Sequence, residues 1–231
     1  MKRKSKFLRN CGAITYLKNN MFIIDFDDTI FDSYLFKHAR LKALKKIGVS
    51  EELFWQTYRE ARNDAQGNCC YSDRRHAQVL AAKGYGESDA FDALSSVTAR
   101  MKDFLLFGVE DFLQSLKKLG QPMVLLSFGD PAFQEMKVRG SGIDKYFDRL
   151  FMVQDTKEHV IQELMMATHD KDYWFINDKI DETLDLFKKF PNLKIIFKRA
   201  DGLAESDYRK SGLPYFKTLA EILNYVISAI K

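Results

Sequence analysis

Five short runs, MFIID at 21–25, PMVLLS at 122–127, RLFMVQ at 149–154, DYWFIN at 172–177 and LKIIF at 193–197, are apolar almost from end to end. A strand with one wet face alternates polar and apolar residues. A strand that stays apolar throughout is covered on both sides, as in a parallel sheet between helical layers. Amphipathic stretches PAFQEMKVRGSG, TKEHVIQELMMATH and KIDETLDLFKKF lie between the later runs, the first and last closed by Gly or Pro. This strand–helix repetition predicts an open α/β sheet of Rossmann-like type, wound right-handedly, with helices on both faces.

The rhythm is interrupted from residue 32 to 106, where YLFKHARLKALKKIG, SEELFWQTYREAR, SDRRHAQVLAAKG and SDAFDALSSVTARMKDFLL each read as a helix. Ser50, Ser72 and Ser88 are placed as N-caps. The division predicted is a basic tail at 1–20, a core of 21–31 with 107–231, and an all-helical insertion at 32–106. GVEDFLQSLKKLG adds an amphipathic helix leading into the second strand.

At 231 residues with 46% hydrophobic content the chain can bury a substantial core. Its net charge of +4 hints at nucleic acid until it is located. Lys2, Arg3, Lys4, Lys6 and Arg9 fall in the first ten residues; without them the 36 basic residues drop to 31, against 32 acidic. The body is neutral, so the charge belongs to a solvated tail and a nucleic-acid partner is not expected. No segment has the length of a membrane helix or a signal-peptide apolar region, which predicts a cytosolic protein. Cys11, Cys69 and Cys70 are an odd count without zinc or redox spacing, and His38, His159 and His169 lack ligand spacing.

Chemistry enters with MFIIDFDDT, which sets aspartates against the end of the first strand. Ionised carboxylates at the mouth of a core are costly unless a cation compensates them. If extended geometry continues past the strand, Asp25, Asp27 and Thr29 point one way and Phe26 and Asp28 the other. In an open parallel sheet, ligands bind beyond the carboxyl ends of the strands. There Ser127 closes the second run, Asn177 and Asp178 close the fourth, and Lys157 opens the helix after the third. Acids, a hydroxyl and a lysine converging on one rim suit phosphoryl transfer with a hard divalent cation such as Mg2+.

These residues resemble the haloacid dehalogenase superfamily, in its aspartate-nucleophile phosphatase branch. DFDDT is similar to its first motif, Ser127 in VLLSFGD to the second, Lys157 to the third and Asp178 in FINDKIDE to the fourth. The resemblance runs from about Met21 to Ala229. It implies that Asp25 is the nucleophile, forming an aspartyl phosphate, and that Asp27 is general acid and base. Ser127 and the Phe128 backbone N–H would bind the phosphoryl group, with Lys157 neutralising charge. Mg2+ would be held by Asp25, the Asp27 carbonyl and Asp178, with Asp181 or Glu182 supporting from behind. Departures are Phe128 where many relatives have Asn, no proline after Lys157, and Asn177 in place of Gly. Asn tolerates the left-handed backbone that such a Gly permits. Lys137 is a substitute for Lys157 at the wrong spacing.

The resemblance makes the insertion a small helical cap of the C1 type, which leaves room for a metabolite. Arg74, Arg75 and His76 in YSDRRH are candidates for a second anionic group of the substrate, although solvated positions are the plainer reading for them. A second aspartate at position 27 favours phosphate esters over carbon–halogen bonds, whose departure needs no proton. The expected activity is Mg2+-dependent hydrolysis of a small phosphomonoester; a phosphomutase, or a non-catalytic RNA- or protein-binding member, are the alternatives.

Overall fold

The computed structural model describes residues 20–167 and 172–230; the basic tail, with Cys11, and His169 lie outside the described residues. Among these, six parallel strands form one sheet in the order β3-β2-β1-β4-β5-β6. They are β1 (Asn20–Ile24), β2 (Met123–Phe128), β3 (Arg149–Val153), β4 (Asp172–Asn177), β5 (Leu193–Lys198) and β6 (Tyr215–Phe216). Ile24 sits opposite both Leu125 of β2 and Ile176 of β4, so β1 is central. The sixth strand is two residues long, too short to leave a period in the sequence.

Both faces of the central strands β1, β2 and β4 are dry, as their continuous apolar runs require. Phe22 and Ile24 of β1, Met123 and Leu125 of β2 and Trp174 and Ile176 of β4 face one layer. That layer consists of α5 (Val109–Lys117), α6 (Pro131–Ser141) and α10 (Leu219–Ile230). The residues between them, Ile23, Val124, Leu126, Tyr173 and Phe175, face α7 (Glu158–Ala167), α8 (Ile180–Lys189) and α9 (Glu205–Lys210). Each such side chain contributes ~2 kcal/mol by leaving water, which makes the central strands the rigid platform for whatever stands at their ends.

Between β1 and β2 the chain forms α1 (Ser33–Lys45), α2 (Glu51–Arg62), α3 (Asp73–Ala81) and α4 (Glu87–Thr98). Ser50 and Ser72 cap α2 and α3 by accepting from the N–H groups of Leu53 and Arg75. Ser88 is not a cap; α4 starts one residue earlier, after an extended Gly86. The single helix expected through residue 106 also ends at Thr98. The chain must return beside its own entry, where Phe104 O accepts from Asp32 N–H at 2.7 Å and Leu106 N–H donates to Ile30 O at 3.1 Å.

The four helices have their own core of Leu41, Leu44, Val49, Phe54, Ala77, Leu80, Ala90 and Leu94. Beside it Arg40, fully buried, donates to Asp73 at 2.5 Å and to the Tyr71 hydroxyl, under the rings of Phe36 and Tyr71. Removing one member of a buried pair strands the other charge. Arg40→Met is therefore expected to cost about 3 kcal/mol, read as a lower denaturation midpoint.

Candidate active site

Asp25 follows the last residue of β1, and its N–H still donates to Ile176 O of β4 at 2.9 Å, which fixes its backbone to the sheet. The residue is 2% exposed. One carboxylate oxygen accepts from Lys157 Nζ at 2.6 Å and the other from the Thr29 hydroxyl at 3.1 Å. Thr29 reaches back because the chain turns after Phe26, whose carbonyl accepts from the N–H groups of Ile30 and Phe31. The turn depends on Asp28 in the left-handed region, with φ of 58°. Extended geometry thus ends sooner than the alternation argument assumed, yet Asp25, Asp27 and Thr29 still share the site.

Lys157, fully buried, also donates to Glu182 at 3.0 Å. Burial alone would push its ammonium down, but Asp25 and Glu182 hold it above the ordinary lysine value. Glu182 in turn accepts from the Asn177 amide at 3.0 Å. Asp181, the other acid proposed for this supporting role, faces solvent one position earlier on α8. Asn177 is the last residue of an extended strand and lacks the left-handed backbone expected of it. Its amide instead ties the strand end to Glu182 and Thr183.

Asp27 is held by three side chains. It accepts from the Ser33 hydroxyl at 2.5 Å, from Gln134 Nε2 at 2.8 Å and from the ammonium of Lys137. Burial, the largest single influence, opposes its charge, but Lys137, Ser33 and Gln134 together outweigh it and lower the carboxyl to about 2. Lys137 does not substitute for Lys157; it arrives on α6 at a different carboxylate. Gln134 gives no signal in the sequence, where it reads as an ordinary polar helix position, and Lys137 reads there only as a substitute partner for Asp25.

Among the buried polar atoms without a partner here, Gln134 Oε1 lies on α6 beside Asp27, and two more stand at strand ends: Ser127 Oγ at the end of β2 and Asp178 Oδ1 just past β4. Because β2 and β4 flank β1, they stand on opposite sides of Asp25. Ser127 does not cap the next helix, since Asp130 does so by accepting from Phe133 N–H at 2.9 Å. Asp178 caps nothing either, and its backbone is propped by the buried Tyr208 hydroxyl, which donates to its carbonyl at 3.0 Å. Burial first, and Asp25 next, push the Asp178 carboxyl up to about 8. Burial likewise raises Asp25. An unsatisfied buried group costs ~1–3 kcal/mol, so atoms left in this state point to something that completes them.

A carboxylate pair that resists ionisation fits a hard cation. Among the described residues no three His, Cys, Asp or Glu side chains gather around one point. Mg2+ takes one or two carboxylates and fills its octahedron with other oxygens. The Asp25 and Asp178 side chains and the Asp27 carbonyl are the donors available for it.

Above these residues lies a small cavity of about 150 Å³ between the helical insertion and the sheet. From the sheet side it is lined by Asp27, Phe128, Gly129, Gln134, Lys137 and Lys179. The insertion adds Lys37, Tyr58 and Arg62. The residues expected to meet a second anionic group are elsewhere. Arg74 is exposed over the ring of Phe91, and Arg75 is consumed by the carbonyls of Ala61 and Asn63. His76 is fully buried between Thr57 and Tyr71, and burial, with Arg40, holds its imidazole down at about 3. Packing inside the insertion turned these side chains away from the cavity.

The fold is of the Rossmann-like α/β class, with a rim of carboxylates, lysine and hydroxyl at its strand ends and a helical insertion above it. The chain belongs to the haloacid dehalogenase-like hydrolase family, whose model matches residues 20–167. A comparison with curated proteins returns no match. Among solved structures, the fold is similar to a putative haloacid dehalogenase-like hydrolase from Burkholderia xenovorans LB400. That pair has TM-score 0.67 and 18% identity, covering 89% of this chain and 95% of that one. A predicted phosphatase from Clostridium acetobutylicum matches with TM-score 0.58 and 18% identity, covering 91% and 99%. A putative β-phosphoglucomutase from Thermotoga maritima matches with TM-score 0.62 and 15% identity, covering 90% and 99%. Dehalogenases stand among the matches as well. At such identities the likeness carries the fold alone.

Proposed function

We propose that the chain is a phosphoric monoester hydrolase that acts on a small phosphorylated metabolite through an aspartyl phosphate at Asp25. The observation that carries this reading is the pair of unpartnered buried atoms, Ser127 Oγ and Asp178 Oδ1, on either side of Asp25. A phosphoryl oxygen satisfies the first and a divalent cation the second. Lys157 orients Asp25 and opposes the burial that raises its carboxyl, and Ser127, with the Phe128 backbone N–H, receives charge on the transferring group. Bound Mg2+ supplies neutralisation of the charge on the phosphate and on the carboxylates that hold it. The insertion is a C1-type cap on this reading, closing the cavity against water.

Asp27 favours this reading over dehalogenation, because a second carboxylate at the cavity serves a leaving alcohol and has no task on a leaving halide. In its present contacts it is ionised, ready to receive a proton rather than to give one. Its part in protonating the leaving oxygen requires that substrate displace Lys137 or Gln134 from it. A phosphomutase shares every residue named and differs in returning the phosphate to a sugar. The reading is tested by measuring inorganic phosphate and halide release from a panel of phosphate esters and 2-haloacids, with Mg2+ and with chelator. Mg2+-dependent phosphate release is expected; halide release alone contradicts it, and isomerisation of a sugar phosphate without free phosphate indicates the mutase. Ser127→Ala is expected to lower kcat about 10²-fold with little change in Tm, because its Oγ has no bond to lose.

A further inference from the structure

The helical insertion presents positive charge to the cavity and no negative charge. Its residues there are Ser33, Phe36, Lys37, Tyr58, Arg62, Cys69 and Tyr71. Lys37 lines the cavity with its ammonium 5.9 Å from the centre of the Tyr58 ring. Arg62 ends α2 beside the same tyrosine. Neither Lys37 nor Arg62 forms an ion pair among the described residues.

The acids of the cavity are already engaged. Asp27 is held by Lys137, Ser33 and Gln134, Asp28 accepts from Ser33 N–H, and Asp130 caps α6. A lysine and an arginine that face one small space and hold no ion pair of their own can receive an anion. They are distinct from Lys157, which serves Asp25 at the floor.

From this juxtaposition we infer that the substrate carries a second anionic group, a carboxylate or a second phosphate, at the end remote from the transferred phosphoryl, and that Lys37 and Arg62 select it. This rests on the phosphatase reading and specifies its substrate class. The size of the cavity limits the bridge between the two anionic groups to a few atoms.

The test uses matched pairs of substrates: 3-phosphoglycerate against glycerol 3-phosphate for a carboxylate, and propanediol bisphosphate against propanediol monophosphate for a second phosphate. In the wild-type protein kcat/KM is expected to favour the charged member of at least one pair by about tenfold or more, with the preference declining as salt rises. Which pair shows it identifies the group. In Lys37→Gln/Arg62→Gln the ratio within that pair is expected to fall toward one, whereas Arg74→Gln, on the far side of the insertion, retains it. Because the ratio is taken within each protein, a general loss of activity cancels. Equal turnover of both members in both pairs overturns the inference and leaves the hydrolase reading standing, as does an undiminished ratio in the double variant. Absence of phosphate release from every ester, p-nitrophenyl phosphate included, overturns both.

Discussion

Asp25→Asn is expected to lose phosphate release by on the order of 10⁴-fold or more while remaining folded. Asparagine has the same shape: its amide oxygen can still accept from Lys157, its NH2 can donate to the Thr29 hydroxyl oxygen, and the backbone bond to Ile176 O is untouched. Lys157 loses one carboxylate but keeps Glu182 at 3.0 Å. The burial that penalised the Asp25 charge no longer acts, which offsets part of that loss. What disappears is the nucleophile, and no other carboxylate can take its place. Asp27 points to Lys137 and Gln134, and Asp178 lies beyond a different strand. The measurement is single-turnover and steady-state phosphate release beside a thermal melt. Wild-type turnover by the variant removes Asp25 from the reaction.

Asp178→Asn is expected to separate stability from activity in opposite directions. The folded carboxyl is pushed up to about 8 from an ordinary 3.8, so between those values the native state holds a proton that the unfolded chain has released. Stability contributed by this group therefore falls as pH rises from about 4 to about 8. Asparagine removes the titration. In chelator at pH 8 the variant should be more stable than wild type by on the order of 2 kcal/mol, and its pH dependence flatter across that window. With Mg2+ present the order reverses in function: activity drops about 10³-fold, and the ion stabilises wild type but not the variant. An equal Mg2+-dependent rise in Tm for both proteins would place the ion elsewhere.

The parts of this site that could be read from residues alone are those whose chemistry fixes their place along the chain. A nucleophile after an apolar strand, a hydroxyl and an acid after two others, and a lysine at a helix start are positions set by a parallel sheet, since its carboxyl ends share one rim. The cavity above them was not legible. Lys37 and Arg62 lie on separate helices, and only the packing of those helices turns them to one space. Conversely, Arg75 and His76 carried the right chemistry but the wrong surroundings: carbonyls at the end of α2 take the first, and Thr57 and Tyr71 enclose the second. Lys137 is the same lesson at the rim. Its spacing excluded it as the partner of Asp25, but spacing along the chain does not reveal that α6 brings it to Asp27.

The helix boundaries failed for a similar reason. Residues 99–106 have helical composition, yet the chain leaving the insertion pairs with the chain entering it at Ile30, Phe31 and Asp32. That pairing satisfies backbone groups a continued helix would have carried away, and it fixes where the insertion is attached to the sheet.

The claim on which the account turns is that phosphate passes through a covalent bond to Asp25. It is tested most directly by acid-quenching the protein during turnover with Mg2+, reducing acyl phosphates with borohydride and locating the modified residue by peptide mass spectrometry. Conversion is expected at Asp25 in the wild-type protein, and none when substrate is omitted. Modification at a different residue, or steady turnover with Asp25 unmodified at every quench time, contradicts it.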